Sequence, residues 1–270
     1  MTIKKEVILA DCLEKIDVHI TDHCNLNCRG CTHFSPLAEP FYLNLDNFRA
    51  DIARVSALTG AKLGFLFLLG GEPLLHPDLD KFFPIARKAF PNNTRIVIIT
   101  NAILLPQAPD SFWQACKDNR IEIWISDYKL KIDYKLIAKK AKSYGVFCGY
   151  TSTATDEEGK KTWGFWKLDL EGKQYWADSF AHCAVKNCVT LKKGKLYTCP
   201  TLAHIEHFNK YFKVNLEVTP YDYIDIYKID SHEAILQAMV KPIPFCRYCR
   251  TREYTNCYWE PTKKDISEWI

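Results

Sequence analysis

Apolar and polar positions in the first 150 residues switch repeatedly between two periods. Residues 16–20 (IDVHI) read as a strand. Residues 45–60 place Phe48, Ile52, Val55 and Leu58 at helical spacing, and Gly60 serves as a stop. Residues 62–71 form a continuous apolar run ending in two glycines, the signature of a strand covered on both faces. The series continues with a helix over 78–89, with Pro84 near its first turn, and a strand over 95–100. A helix over 109–118, a strand over 121–126, a helix over 133–145 and a fifth strand over 146–150 follow. Strand–helix alternation predicts parallel strands joined by crossover helices, hence an α/β sheet or barrel.

Beyond residue 150 the alternation stops. A strand is expected over 163–170, a hairpin around Gly194 over 189–199, another strand over 214–218, and a helix over 231–240 capped by Ser231 with Glu233 in its first turn. The change of pattern puts a boundary between 150 and 182, giving units at 1–150 and 183–270.

Composition narrows the classes. The chain has 270 residues, 47% hydrophobic and 25% charged, which excludes general disorder. No apolar run approaches the ~20 residues of a membrane span. The apolar stretch within residues 1–15 is too short for a signal peptide and is interrupted by acids, so a cytoplasmic protein with no membrane partner is expected. A net charge of +4 gives no reason to expect nucleic acid. Twelve cysteines stand out. Without a secretion signal, they point to metal or cluster ligation rather than disulfides.

In parallel sheets, ligands bind beyond the carboxyl ends of the strands. Those ends here carry Thr21, Asp22 and His23, then Gly70, Gly71, Glu72 and Pro73, then Thr100 and Asn101, then Ser126 and Asp127. The first end runs into Cys24, Cys28 and Cys31 in CxxxCxxC spacing. Three thiolates so close can wrap one face of a [4Fe–4S] cube and leave one iron open to a small chelator. The competing reading is zinc, with His23 or His33 as a fourth ligand.

The CxxxCxxC after a first strand, the Gly70-Gly71-Glu72-Pro73 turn after a second and the parallel layout between them resemble the radical S-adenosylmethionine (radical SAM) superfamily over about residues 15–150. The resemblance implies a partial (β/α)6 barrel. It also implies that a [4Fe–4S] cluster on the three cysteines binds SAM and cleaves it to a radical that abstracts a substrate hydrogen. Gly70, Gly71, Glu72 and Pro73 would meet the methionyl end. Thr100, Asn101, Ser126 and Asp127 would contact the methionine or ribose. The family usually has an aromatic residue before the third cysteine; Gly30 stands there, and Phe34 is the substitute considered.

The later cysteines resemble the SPASM and twitch extensions, which hold auxiliary clusters. Cys183, Cys199, Cys246 and Cys249 are assigned to one auxiliary [4Fe–4S] cluster, with Cys188 and Cys257 as alternates and a zinc ribbon as the competing reading. Cys12, Cys116 and Cys148 are expected to be packed thiols. The expected activity is oxidation or rearrangement of a carbohydrate-like small molecule, with electrons from a reductase such as flavodoxin or ferredoxin. The alternatives are radical modification of a peptide or protein, and a non-catalytic electron carrier or zinc-stabilised adaptor. No general base is assigned; Asp127, His33, Tyr128 and Arg29 lie near the rim.

Overall fold

The computed structural model describes residues 12–270 apart from 92, 129, 152–153 and 159. Most of the apolar stretch near the N-terminus therefore lies outside the described residues.

The alternation of the first 150 residues becomes β1 (Leu13–Thr21), α1 (Leu45–Thr59), β2 (Leu63–Gly70), α2 (Leu79–Ala89), β3 (Arg95–Thr100), α3 (Asp110–Asp118), β4 (Ile121–Ile125), α4 (Tyr134–Tyr144) and β5 (Cys148–Tyr150). All five strands are parallel and adjacent in sequence order. Local chemistry sets the ends of α1. The Asn44 side chain accepts from Asp46 N and Asn47 N, and Gly60 closes the helix at φ 58°. Pro84 lies inside α2 rather than in its first turn. The helix gives up one backbone bond there, and its buried stripe of Leu79, Phe82, Phe83 and Ala86 holds it to the sheet.

Side chains alternate across each strand. Ile16, Val18, Ile20, Leu66, Leu68, Ile96, Ile98, Ile121 and Ile123 face the helices and form the main core with α1–α4. The opposite face carries Phe65, Phe67, Leu69, Val97, Ile99 and Trp124, and it lines the cavity described below. One apolar face covered by helices and a second apolar face around a cavity explain the near-continuous hydrophobic runs.

Among the described residues the sheet has eight strands, β1-β2-β3-β4-β5 in that order and three more beyond the free edge of β1. The sixth parallel strand does not continue the βα series. It is β8 (Thr190–Lys192), which lies against Asp17 and Val18 on the other edge of β1. β9 (Lys195–Tyr197) and β10 (Tyr223–Asp225) follow antiparallel. Lys193 and Gly194, at φ 50° and 69°, make the two-residue turn of the expected hairpin.

The strand expected over 214–218 is not formed. The Asn209 side chain occupies both backbone groups of Leu216, accepting from its N–H and donating to its C=O at 3.0 Å each, so an amide takes the place of a neighbouring strand. The strand expected over 163–170 ends at Phe165. There β7 (Lys161–Phe165) joins β6 (Ala154–Thr155) and β11 (Thr255–Cys257) in a small antiparallel sheet. Beyond it, Leu168 N donates to Trp269 O and Asp169 N to Tyr248 O, which draws the chain into a second core. That core holds Phe34, Trp166, Leu202, Phe208, Phe245 and Trp269. Helices α5 (Trp176–Ala181), α6 (Pro200–Phe212) and α7 (His232–Met239) also lie in this part of the chain; Ser231 caps α7 by accepting from Ala234 N.

Candidate functional site

Cys24, Cys28 and Cys31 all line one cavity of about 260 Å³ at the carboxyl end of the parallel strands. Gly70, Gly71, Thr100, Asn101 and Ser126 line it too, joined by His33, Ser35 and Tyr128. Deeper along the sheet, the same cavity is walled by Lys15, Asp17, Phe67, Leu69 and Ile99.

The three sulfurs are ringed by donors. Cys24 Sγ accepts from Leu26 N at 3.3 Å and faces Asn101 Nδ2 at 3.7 Å. Cys28 Sγ accepts from Trp259 Nε1 at 3.2 Å and from the Tyr128 hydroxyl. Cys31 Sγ accepts from the backbone of Ser35, His33 and Phe34. N–H groups aimed at sulfur suit thiolates bound to a metal, because bonds to ionised acceptors are the stronger ones. Without a metal, burial and the Cys31 thiol push Cys28 up to about 12, and burial, with Glu72 and the other two thiols, does the same to Cys24. A bound metal deprotonates such ligands. The donor set therefore fits an iron–sulfur cluster held by the three cysteines.

The glycine turn has a role its composition alone did not reveal. Gly71 N donates to Thr21 O at 2.9 Å and Glu72 N to His23 O at 3.1 Å, so the turn lies directly on the segment that leads into the cysteines. A Cβ on Gly71 would sit 2.1 Å from His23 O, and one on Gly70 would sit 2.2 Å from Thr21 O.

Several expected residues have other partners. Glu72 is buried and does not line the cavity. Its carboxylate accepts from Thr100 Oγ1 at 2.7 Å, Asn101 N at 2.8 Å and Leu74 N at 3.1 Å. Burial pushes it up to about 7 against those bonds. Pro73 opens a short 3-10 turn behind it. Asp127 pairs with Lys161 Nζ at 2.7 Å and accepts from Tyr134 OH at 3.3 Å, away from the cavity lining. Phe34 does not replace the missing aromatic residue, because it is buried against Phe208 and Trp269 in the second core. Phe165 fills the space at Gly30, where an added Cβ would lie 3.2 Å from its ring. Arg29 is paired with Glu260.

Sequence reasoning missed Asp17, whose polar signal lay inside an apolar strand. It faces the cavity from mid-β1, and among the described residues its Oδ1 has no hydrogen-bond partner. Burial pushes it up to about 7, with Lys15 opposing. Behind the wall at His33 lies a buried polar cluster. Asp22 accepts from His19 and Lys192 at 3.3 Å each and lies 3.2 Å from His207 Nε2, and the Lys192 ammonium also lies 3.0 Å from His204 Nδ1. Burial holds His33 down at about 3, a neutral imidazole.

All twelve cysteines are free thiols. Cys183, Cys199, Cys246 and Cys249 lie near enough to influence one another electrostatically: burial raises each, and the thiols of this set also raise Cys199, Cys246 and Cys249. Cys188 instead bonds Lys15 near Asp17, and Cys257 lies beside Trp163 O and Arg29.

A parallel α/β sheet whose free face leads up to a three-thiol rim defines a protein built around a thiolate-held metal cofactor. Residues 18–150 match the Radical SAM superfamily, and this segment of the chain belongs to that superfamily, whose members use a [4Fe–4S] cluster and S-adenosylmethionine. Among curated proteins, the chain is similar to the GTP 3',8-cyclase of Chlorobaculum tepidum, 30% identical over 42% of this chain and 34% of that protein. The GTP 3',8-cyclase of Sulfurovum sp. is 27% identical over 47% and 38%. The likeness thus spans little more than a third of either relative. Among solved structures, the chain is similar to BtrN in complex with AdoMet and 2-DOIA, 13% identical over 88% of this chain and 93% of that one, TM-score 0.47. It is also similar to native anSMEcpe with bound AdoMet, 11% identical over 87% and 82%, TM-score 0.49. Among the described residues, no helix is long and apolar enough to cross a membrane.

Proposed function

We propose that this protein is a radical SAM enzyme that oxidises a hydroxyl-bearing, carbohydrate-like small molecule. The observation that carries the reading is that three donor-ringed cysteines and a buried carboxylate, Asp17, whose Oδ1 has no hydrogen-bond partner among the described residues, line one cavity. When bound at Cys24, Cys28 and Cys31, the cluster and SAM would supply an electron and a carbon radical able to remove a substrate hydrogen atom. Gly70 and Gly71 line the cavity beside the cysteines, their missing side chains letting the turn lie on the backbone of Thr21 and His23. Thr100, held by Glu72, and Asn101 present polar groups at the next strand end.

A hydroxyl-bearing carbon that has lost its hydrogen atom must still lose the hydroxyl proton and one electron to become a carbonyl. The Asp17 carboxylate accepts that proton; its raised affinity matches a base working near neutrality. Cys183, Cys199, Cys246 and Cys249 would hold the auxiliary cluster that accepts the electron. Phe67, paired across the ladder from Asp17, gives the substrate an apolar wall.

The test is anaerobic reconstitution followed by dithionite and SAM. Release of 5′-deoxyadenosine that disappears in Cys28→Ala supports the reading. Iron-loaded protein without that release points to the electron-carrier alternative, and zinc in its place to the adaptor. The curated relatives' substrate is not carried over, since the likeness covers only part of those proteins. Product formation from a peptide rather than a polyol would move the substrate class to peptide modification.

A further inference from the structure

The segment after β11 does something the functional reading does not use. It returns to the cysteine loop and pairs with it in ladder fashion. Thr262 N donates to Asn27 O at 3.0 Å, Arg29 N donates to Glu260 O at 3.0 Å, and Cys28 and Pro261 form a bridge between them. The Arg29–Glu260 ion pair adds a side-chain tie. At the other end, β11 pairs with β7, Cys257 opposite Trp163. Two anchored ends leave Trp259 little freedom, and its half-buried indole directs Nε1–H at Cys28 Sγ, 3.2 Å away. The ring is flanked by Tyr128 at 6.3 Å between centroids, and Tyr128 stacks on Trp163 at 5.2 Å. Cys28 thus takes an N–H from the last part of the chain in addition to the Tyr128 hydroxyl.

We infer that Trp259 is a positioning residue that raises the reduction potential of the cluster on Cys24, Cys28 and Cys31 through its N–H···S bond to Cys28. Reduction adds one negative charge to the cluster, and thiolate sulfur shares it. A donor aimed at that sulfur stabilises the reduced form more than the oxidised one, which raises the potential. The position of the bond matters for turnover. SAM cleavage begins with an electron delivered to this cluster, so the fraction reduced at a given donor poise limits the rate. The C-terminal segment would then govern how readily the catalytic cluster accepts an electron, without touching the substrate. This rests on the reading of the three cysteines as cluster ligands.

The experiment is a redox titration of the full-length, anaerobically reconstituted protein, followed by the electron paramagnetic resonance signal of the reduced SAM-site cluster. Trp259→Phe keeps an aromatic ring and deletes the donor. A benzothienyl-alanine at 259 keeps the bicyclic shape and replaces only the N–H. Both variants are expected to lower the potential, with the reduced-to-oxidised ratio at fixed poise falling up to about tenfold, equivalent to about 59 mV for one electron. A signal assigned to the auxiliary cysteines is expected to stay at its own potential. An unchanged SAM-site potential in the benzothienyl variant overturns the inference, whatever Trp259→Phe does to folding. Absence of any SAM-site signal from the wild-type chain defeats the cluster reading itself, a separate outcome.

Discussion

The Glu72 carboxylate receives the Thr100 hydroxyl at 2.7 Å and so ties the end of β2 to the end of β3, directly behind the cavity rim. Deleting that carboxylate leaves the Thr100 hydroxyl and the Asn101 N–H without their acceptor in a buried place. Glu72→Ala is expected to cost about 2–4 kcal/mol of stability, and to weaken SAM binding as the rim loosens. Glu72→Gln keeps an acceptor oxygen and is expected to lie between the two. Urea denaturation and anaerobic calorimetry with SAM measure the two effects.

Iron content separates the two cysteine sets. Alanine at Cys24, Cys28 or Cys31 is expected to remove about four irons and abolish 5′-deoxyadenosine release. Alanine at Cys199 or Cys249 is expected to remove a similar amount while SAM cleavage persists and substrate oxidation fails. Loss of SAM cleavage with equal severity in both sets would refute the division of labour.

Asp17 gives a pH dependence with a definite sign. Burial raises its carboxyl from 3.8 to about 7, so between those values the folded protein holds a proton that the unfolded chain has released. Its contribution to stability is full below 3.8 and is lost as pH rises through about 7, by up to about 4 kcal/mol. Asp17→Asn is expected to flatten this slope in urea titrations across the pH series. The same variant is expected to keep SAM cleavage while slowing substrate oxidation.

Gly71→Ala tests the packing of the glycine turn. The added Cβ would lie 2.1 Å from His23 O, a backbone atom that cannot swing aside. Lost iron loading, seen in the visible spectrum, is the expected result, together with a drop of roughly 3 kcal/mol or more in stability. Gly60→Ala is the control, since nothing lies within 4 Å of a Cβ there; only the modest strain of its positive φ remains.

The parallel core was legible because burial on both faces leaves a plain mark: LGFLFLL and RIVIIT can hardly be anything but inner strands. The cysteine rim was legible for a similar reason, since strand ends and thiol spacing are local properties. What escaped depended on partners far away in sequence. Leu216 looked like a strand residue until Asn209 satisfied its backbone. The partners that hold Asp127 and Glu72, Lys161 and Thr100, are likewise distant in sequence. Asp17 was hidden by its apolar neighbours, and nothing local to Trp259 announces Cys28 as its acceptor.

The pairing of Thr190 with Asp17 sets an order of events during synthesis. The opening strand leaves the ribosome with one hydrogen-bonding flank bare, and its mate comes from the last third of the chain. At ~5–20 residues per second, that flank waits roughly 10–35 s. An uncovered apolar strand invites sticking to other nascent chains. Fragments that stop short of residue 190 should accordingly accumulate in inclusion bodies, and the full chain should lean on chaperones until its final third arrives.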